Sequence, residues 1–163
     1  MKHIISALVQ NKPGVLAHVA GMFAARAFNI DSLAVGRTDD PTLSRMTIVV
    51  VGDDKVVEQV RKQLAKIVSI VKVQDFVGQD VVARDLMLVS VSCPPEKRPE
   101  ILALIEMFTA KVVDIGSKVV MVEVCGPESK IEAFLNSCRP YGIKNVVRTG
   151  TVAMARRGQK QSE

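Results

Sequence analysis

One order of apolar segments occurs twice along this 163-residue chain, and the repeat limits the folds open to it. In the first half, short Val- and Ile-rich segments alternate with two segments whose apolar residues follow the 3.6-residue period of a helix. The four segments predicted as strands are His3–Gln10, Ile30–Gly36, Met46–Val51 and Ile70–Val77. The predicted order is strand, helix, strand, strand, helix, strand. Pro13 suits the first turn of the first helix, and Asn29 suits the left-handed residue that often closes a helix.

The second half repeats this order after Gly78. Strands are predicted at Asp85–Cys93, Val112–Ile115, Val119–Cys125 and Ile143–Arg148, and helices at Pro99–Ala110 and Glu128–Cys138. The order βαββαβ is typical of a four-stranded antiparallel sheet with two helices on one face. The sequence therefore predicts an α+β protein made of two tandem ferredoxin-like βαββαβ units.

The expected boundaries follow from this repeat. The first unit should span residues 1–78 and the second residues 85–153, with residues 79–84 as a linker. Arg156, Arg157 and Lys160 make residues 154–163 a basic tail, which we expect to be flexible.

Two strand segments, Ile48–Val51 and Val119–Val122, are apolar at consecutive positions. A strand with one solvated face should alternate apolar and polar residues, so the second sheet face should be covered by the other unit or by another subunit. Because a unit of about 75 residues is marginally stable by itself, we expect an oligomer.

Composition narrows the possible functions. Aromatic residues make up 4% of the chain, and RNA binding by this fold usually needs aromatic side chains on the central strands. An RNA-binding protein is therefore a distant alternative. The net charge of +5 permits nucleic-acid binding without implying it. No apolar run approaches the roughly 20 residues that span a bilayer, so a cytoplasmic protein is expected.

The residue pattern gives little support to catalytic or metal chemistry. Cys93, Cys125 and Cys138 are widely and irregularly spaced, without a metal-ligand motif. His3 and His18 belong to no nucleophile motif. We therefore expect no catalytic residue and no metal site.

The turn from Asn11 to Leu16 is the segment most suggestive of binding. It leaves the first strand and enters the first helix, where free backbone N–H groups can bind a carboxylate. Gly14 has no side chain to block close approach, and the amide of Asn11 can accept from an ammonium group and donate to a carboxylate. Such a site suits an α-amino acid, with Val15, Leu16 or Ile30 against its side chain. An ordinary strand-to-helix turn is the alternative.

This turn, together with Asn29–Leu33, resembles the ACT domain, an amino-acid-sensing module. The run Arg37–Thr47, and the ending Val147–Gly150 followed by Arg157-Gly158, resemble the regulatory (small) subunit of acetolactate synthase, also called acetohydroxyacid synthase. The resemblance covers nearly the whole chain.

The resemblance implies a chain that performs no chemistry and binds no cofactor itself. Its partner would be the large catalytic subunit, a thiamine-diphosphate enzyme that uses Mg²⁺ and FAD to make acetolactate for branched-chain amino-acid synthesis. The chain would activate that partner and confer feedback inhibition, usually by valine. In this family the effector sits where two ACT domains pair. Carried over, one protomer supplies Asn11, Gly14, Val15 and Leu16, and the other supplies Asn29 and Ile30.

The polar loop Arg37–Met46 is long for a compact domain, and such loops are usually functional. Its charged residues Asp39, Asp40 and Arg45 are not ones that the hairpin itself would require, so we expect the loop to dock the catalytic subunit. The second unit, which lacks an Asn–Gly turn, is expected to transmit regulation. The competing interpretation is a stand-alone tandem-ACT regulator of gene expression.

Overall fold

A computed structural model describes residues 1–156. The chain divides into two compact units: residues 1–82 together with the segment that begins at Thr151, and Ala83–Gly150. Within residues 1–156 no helix is long and apolar enough to cross a membrane.

The first unit has the predicted βαββαβ order. Its elements are β1 (Lys2–Gln10), α1 (Val15–Ala25), β2 (Ile30–Arg37), β3 (Leu43–Val51), α2 (Asp54–Leu64) and β4 (Ile70–Asp75). The sheet order is β2-β3-β1-β4 and each neighbouring pair is antiparallel. β2 is thus an edge strand, whereas β1 and β3 are central.

The second unit repeats the plan. Its elements are β5 (Val81–Ser92), α3 (Arg98–Met107), β6 (Lys111–Ile115), β7 (Val119–Gly126), α4 (Glu128–Cys138) and β8 (Ile143–Arg148), and the chain continues into β9 (Val152–Ala155). The sheet order is β6-β7-β5-β8, and β9 pairs with β5. The prediction of two ferredoxin-like units with antiparallel sheets is confirmed.

Alternation along the central strands builds the core of the first unit. Ile5 lies opposite Ile48, and both are fully buried beneath the helices. The apolar stripe of α1 places Val19 and Phe23 on the same face, one turn apart. Each fully buried Val, Ile or Phe side chain contributes about 1.5–3 kcal/mol. The second unit has a separate core, in which Phe134 of α4 packs edge-to-face on Phe108.

The sheet face opposite the helices is largely buried in the first unit. Val49 is 4% exposed and Ser6 only 1%. Part of this face is met by the segment after Gly150, because the N–H of Thr151 donates to Oγ of Ser32, which pairs with Val49. The cover is incomplete at the strand end, where Val51 remains 45% exposed.

Two boundary expectations need correction. β5 begins at Val81, so residues 79–84 are not a free linker. β9 continues to Ala155, so a tail cannot begin at residue 154. Arg156 then forms an ion pair with Asp80, with 3.1 Å between Nε and Oδ2. Arg157 and Lys160 lie outside the described residues.

The left-handed residue after α1 is Ala27, with φ of 54°, and not Asn29 as predicted. The N–H of Phe28 donates to the carbonyl of Phe23, so the helix ends in a Schellman-type turn that requires a left-handed residue at position 27. Thr109, with φ of 52°, plays the same part after α3.

Candidate functional site

Hydrogen bonds tie the β1–α1 turn to the β2–β3 hairpin. The N–H of Asn11 donates to the carbonyl of Thr42 at 2.7 Å, and its side-chain Nδ2 donates to the carbonyl of Pro41 at 3.0 Å. One side-chain N–H of Asn11 is therefore used by the fold. The carbonyl oxygen and the second N–H remain chemically suited to the ammonium and carboxylate of an amino acid.

Gly14 is the N-cap of α1 and is not part of its first turn. Its backbone is left-handed, with φ of 84° and ψ of −12°, and Pro13 precedes the helix instead of opening it. A Cβ built on Gly14 would meet no atom within 4 Å. Glycine adopts this left-handed conformation without the strain that other residues would have, and it leaves open space beside the helix end.

The N-terminus of α1 has no internal source of negative charge. No side chain caps it and its first turn contains no acidic residue. By contrast, Asp53 caps α2 by accepting from the N–H of Val56 at 2.9 Å, and α3 and α4 have Glu100 and Glu128 in their first turns. Among the four α-helices of residues 1–156, only α1 lacks both devices. Its partial positive charge suits an external carboxylate.

The structure places the other predicted effector residues in different settings. Val15 is 6% exposed, and its side chain packs in the core. Leu16 is 46% exposed. Asn29 is exposed and Ile30 half-buried, at the opposite end of α1. An 11-residue helix is about 16 Å long, so one copy of the chain does not bring the two groups together.

The hairpin between β2 and β3 is shorter than predicted and uses one of the charges assigned to docking. Asp40 accepts from the N–H of Thr42 at 2.8 Å and from its hydroxyl at 2.6 Å. These hydrogen bonds, the side-chain one foremost, lower the pKa of Asp40. Asp40 therefore has hydrogen-bond partners inside the hairpin, which the sequence did not indicate. Asp39 is exposed, and Arg45 lies on β3, where its Nη1 donates to Oγ of Ser6 at 3.0 Å.

Two shallow grooves between α1 and α2 were not anticipated. Their volumes are about 400 and 460 Å³, and they share Arg26 and Gln63, which are joined by a 2.9 Å hydrogen bond from Nη2 to Oε1. None of the six predicted effector residues lines either groove. No sequence signal marks a hydrogen bond between residues so far apart in the chain.

A buried polar cluster in the second unit was also missed. Asp85 is 2% exposed, and its Oδ2 accepts from Nε of Arg148 at 2.8 Å and also from Nη2. Oγ1 of Thr149 lies 3.3 Å from the other carboxylate oxygen. Nη1 of Arg148 donates to Glu132 of α4 at 2.6 Å. The sequence marked Arg148 and Thr149 only as part of the ending that resembles the family, and it predicted no structural role for them.

Within residues 1–156, no group of three His, Cys, Asp or Glu side chains could hold a metal ion. Burial raises the pKa of the Cys138 thiol to about 11, which makes it a poor nucleophile at neutral pH.

Two family models together cover most of the chain. The one described as "AHAS small subunit-like ACT domain" matches residues 5–72, and the one described as "Small subunit of acetolactate synthase" matches residues 84–157. The chain belongs to the acetolactate synthase small-subunit family. This confirms the resemblance drawn from the Asn11 turn, the β2–β3 hairpin and the Arg148 ending. Membership of a small-subunit family implies a catalytic acetolactate synthase partner.

Similar proteins share nearly the full length. A probable acetolactate synthase small subunit of Archaeoglobus fulgidus is 54% identical over 160 residues, covering 98% of this chain and all of the relative. The small subunit of Bacillus subtilis is 44% identical, over 99% of this chain and 95% of its own. The crystal structure of the Thermotoga maritima small subunit is 42% identical, covers 96% of this chain and 98% of its own, and superposes with a TM-score of 0.88.

Proposed function

We propose that the chain activates the thiamine-diphosphate catalytic subunit of acetolactate synthase and makes it sensitive to feedback inhibition by valine. The chain itself supplies no catalytic group, and thiamine diphosphate, Mg²⁺ and FAD belong to the partner. Family membership over both units supports this role. The stand-alone gene regulator loses support, because the full-length relatives are named small subunits of acetolactate synthase.

The open N-terminus of α1 is the observation that carries the effector site. An amino acid placed there would direct its carboxylate at the first-turn N–H groups beside Gly14 and its ammonium at the carbonyl oxygen of Asn11. The exposed side chain of Leu16 offers the adjoining apolar contact. Because no acidic residue of α1 competes for these donors, the binding energy is available to the ligand.

Pairing of two copies along the edge strand β2 would complete this site. Arg37 pairs with Ser44 and Gln10 with Leu43, so the β1–α1 turn lies at the Arg37 end of β2. Ile30 begins the other end. In an antiparallel pair about a two-fold axis, Ile30 and Asn29 of one copy reach the β1–α1 turn of the other. The exposed face of α1 includes a row of small residues that permit close approach: Ala17, Ala20, Gly21 and Ala24.

Calorimetry with valine, leucine and isoleucine, together with reconstitution of the catalytic subunit, tests the function. We expect saturable binding of at least one of the three, a rise in acetolactate synthesis on adding this chain, and inhibition by the amino acid that binds. Light scattering should show a species larger than the 17.7 kDa protomer. Absence of both activation and amino-acid binding would overturn the proposal.

Docking of the catalytic subunit is proposed for the hairpin surface that carries Asp39 and Arg45. Arg45→Ala should weaken activation and leave amino-acid affinity unchanged. Ser6→Ala is the matched control, because it removes the same hydrogen bond and keeps the guanidinium. Equal loss in both variants would show that Arg45 acts within the sheet and not on the partner.

A further inference from the structure

The polar cluster of the second unit lies on both chain connections of that unit. The chain enters at Ala83 and leaves after Gly150. Asp85 stands two residues after the first point, and Arg148 two residues before the second. The segments they belong to are also joined through their backbones, because the N–H of Thr149 donates to the carbonyl of Leu86 at 3.0 Å.

Thr149 gives this junction a second bond. Its Oγ1 accepts from the N–H of Leu86 at 3.1 Å and faces the carboxylate of Asp85. Gly150, with φ of 80°, then turns the chain out of the unit. We call the set Asp85, Leu86, Arg148 and Thr149 the junction clamp.

The junction clamp differs from a surface ion pair, which holds little in place. The Asp85 carboxylate is almost fully buried, and two nitrogens of one guanidinium converge on the same oxygen. Burial works against the charge, yet hydrogen bonds to Asp85 and Glu132 raise the pKa of Arg148 above its ordinary value. Through Glu132 the same guanidinium also reaches α4. Incoming strand, outgoing strand and helix are therefore tied to one side chain.

We propose that Arg148 is a positioning residue for regulation, holding the two connections of the second unit together so that they respond as one. The covalent connections between the two units pass through these two points. With the clamp closed, both points and α4 move together; with it open, only backbone pairing of β5 with β8 and β9 joins the two connections, and α4 is no longer tied to them. The regulatory half of this inference rests on the proposed function, whereas the clamp itself can be tested without it.

The double variant Asp85→Asn/Arg148→Met opens the clamp without leaving an unpaired buried charge. Hydrogen exchange of the intact protein should show amide exchange at Leu86 and Thr149 that is at least about tenfold faster, because local opening sets the exchange rate there. Glu132→Gln is the matched control, since it removes only the half-exposed ion pair of the same guanidinium and should leave both amides protected. Unchanged exchange in the double variant would overturn the clamp.

Calorimetry and inhibition assays of the reconstituted holoenzyme test the regulatory role. The double variant should keep the wild-type affinity for valine and lose at least half of its maximal inhibition. Arg148→Lys, which keeps the positive charge, should restore an intermediate inhibition. Faster exchange with an unchanged inhibition curve would overturn the regulatory role while leaving the clamp intact. Wild-type protein that neither activates the catalytic subunit nor binds any of the three amino acids would instead overturn the proposed function.

Discussion

Replacement of Gly14 by Asp or Asn separates folding from binding at the open end of α1. The two side chains have the same size and place the same demand on a backbone whose φ is 84°. They differ in charge. Asp would bring a carboxylate to the first-turn N–H groups that we assign to the carboxylate of the effector, whereas Asn would bring a neutral amide.

The cost in stability should be small and similar for both variants. The left-handed conformation costs an ordinary residue about 1–2 kcal/mol, and Asn and Asp tolerate it best. A new Cβ meets no atom within 4 Å, so no steric cost is added. In Gly14→Asp, the new carboxylate beside the uncapped start of α1 stabilises the folded protein by about 0.3–1 kcal/mol. A net loss of up to about 1 kcal/mol should lower the Tm by only about 2–4 °C in a chain of this size.

The cost in effector affinity should be much larger for Asp. Loss of one hydrogen bond to a charged group removes about 1.5–3 kcal/mol, which corresponds to a roughly 10- to 150-fold weaker Kd. Repulsion between the carboxylate that Gly14→Asp introduces and the carboxylate of the ligand adds to this. Calorimetry with valine and inhibition of the reconstituted holoenzyme measure the effect. Activation of the catalytic subunit should survive in both variants, because we propose that docking uses another surface, the one that carries Asp39 and Arg45.

Two results would refute this reasoning. A Gly14→Asp protein that valine inhibits as strongly as the wild type would show that the effector carboxylate binds elsewhere. Equal loss of affinity in Gly14→Asn and Gly14→Asp would show that the backbone conformation matters, and not competition between two carboxylates.

Three local features lead to further predictions. Ala27→Gly and Thr109→Gly should each raise stability by up to about 1 kcal/mol in denaturant titrations, since glycine adopts the left-handed turn without strain; a loss would contradict the Schellman-type assignment. The pKa of Asp40 is lowered on folding, so its contribution is present above the ordinary value of 3.8 and is lost as the pH falls through the folded pKa. Acid titration of Asp40→Ala should lack that component. A thiol reagent should modify exposed Cys125 in the native protein and reach buried Cys138 only after unfolding.

The fold could be predicted where local signals agree. The bounds of α4 and β8 were predicted to the residue, because Gly126-Pro127 stops the strand before α4 and the apolar stripe of α4 is regular. The predicted start of β5 was too late, because the polar pairs Gln79-Asp80 and Arg84-Asp85 are typical of a linker. Pairing with β9, which begins about 70 residues later, decides its conformation, and no local pattern carries that information.

The candidate site was predictable only in its backbone. The Asn11–Gly14 turn indicates an open helix end, but sequence alone could not show that Val15 turns into the core or that Asp40 already accepts two bonds from Thr42. The bond between Asp85 and Arg148 joins residues 63 positions apart. Such pairs depend on strand register, which single-sequence patterns do not fix.

The two units share one backbone arrangement at the turn between their first strand and first helix, but different side chains occupy that turn. The N–H of Cys93 donates to the β6–β7 hairpin as that of Asn11 donates to the β2–β3 hairpin. In the second unit, however, the guanidinium of Arg98 occupies the junction and donates to two hairpin carbonyls, at 3.3 and 3.0 Å. Glu100 then places a carboxylate in the first turn of α3. The positive end of α3 thus already has a carboxylate of its own beside it, so a ligand carboxylate would be repelled there. In the first unit, Gly14 leaves the matching position empty. Duplication of one fold thus supplies both a helix end open to an effector and a second end closed by the chain itself.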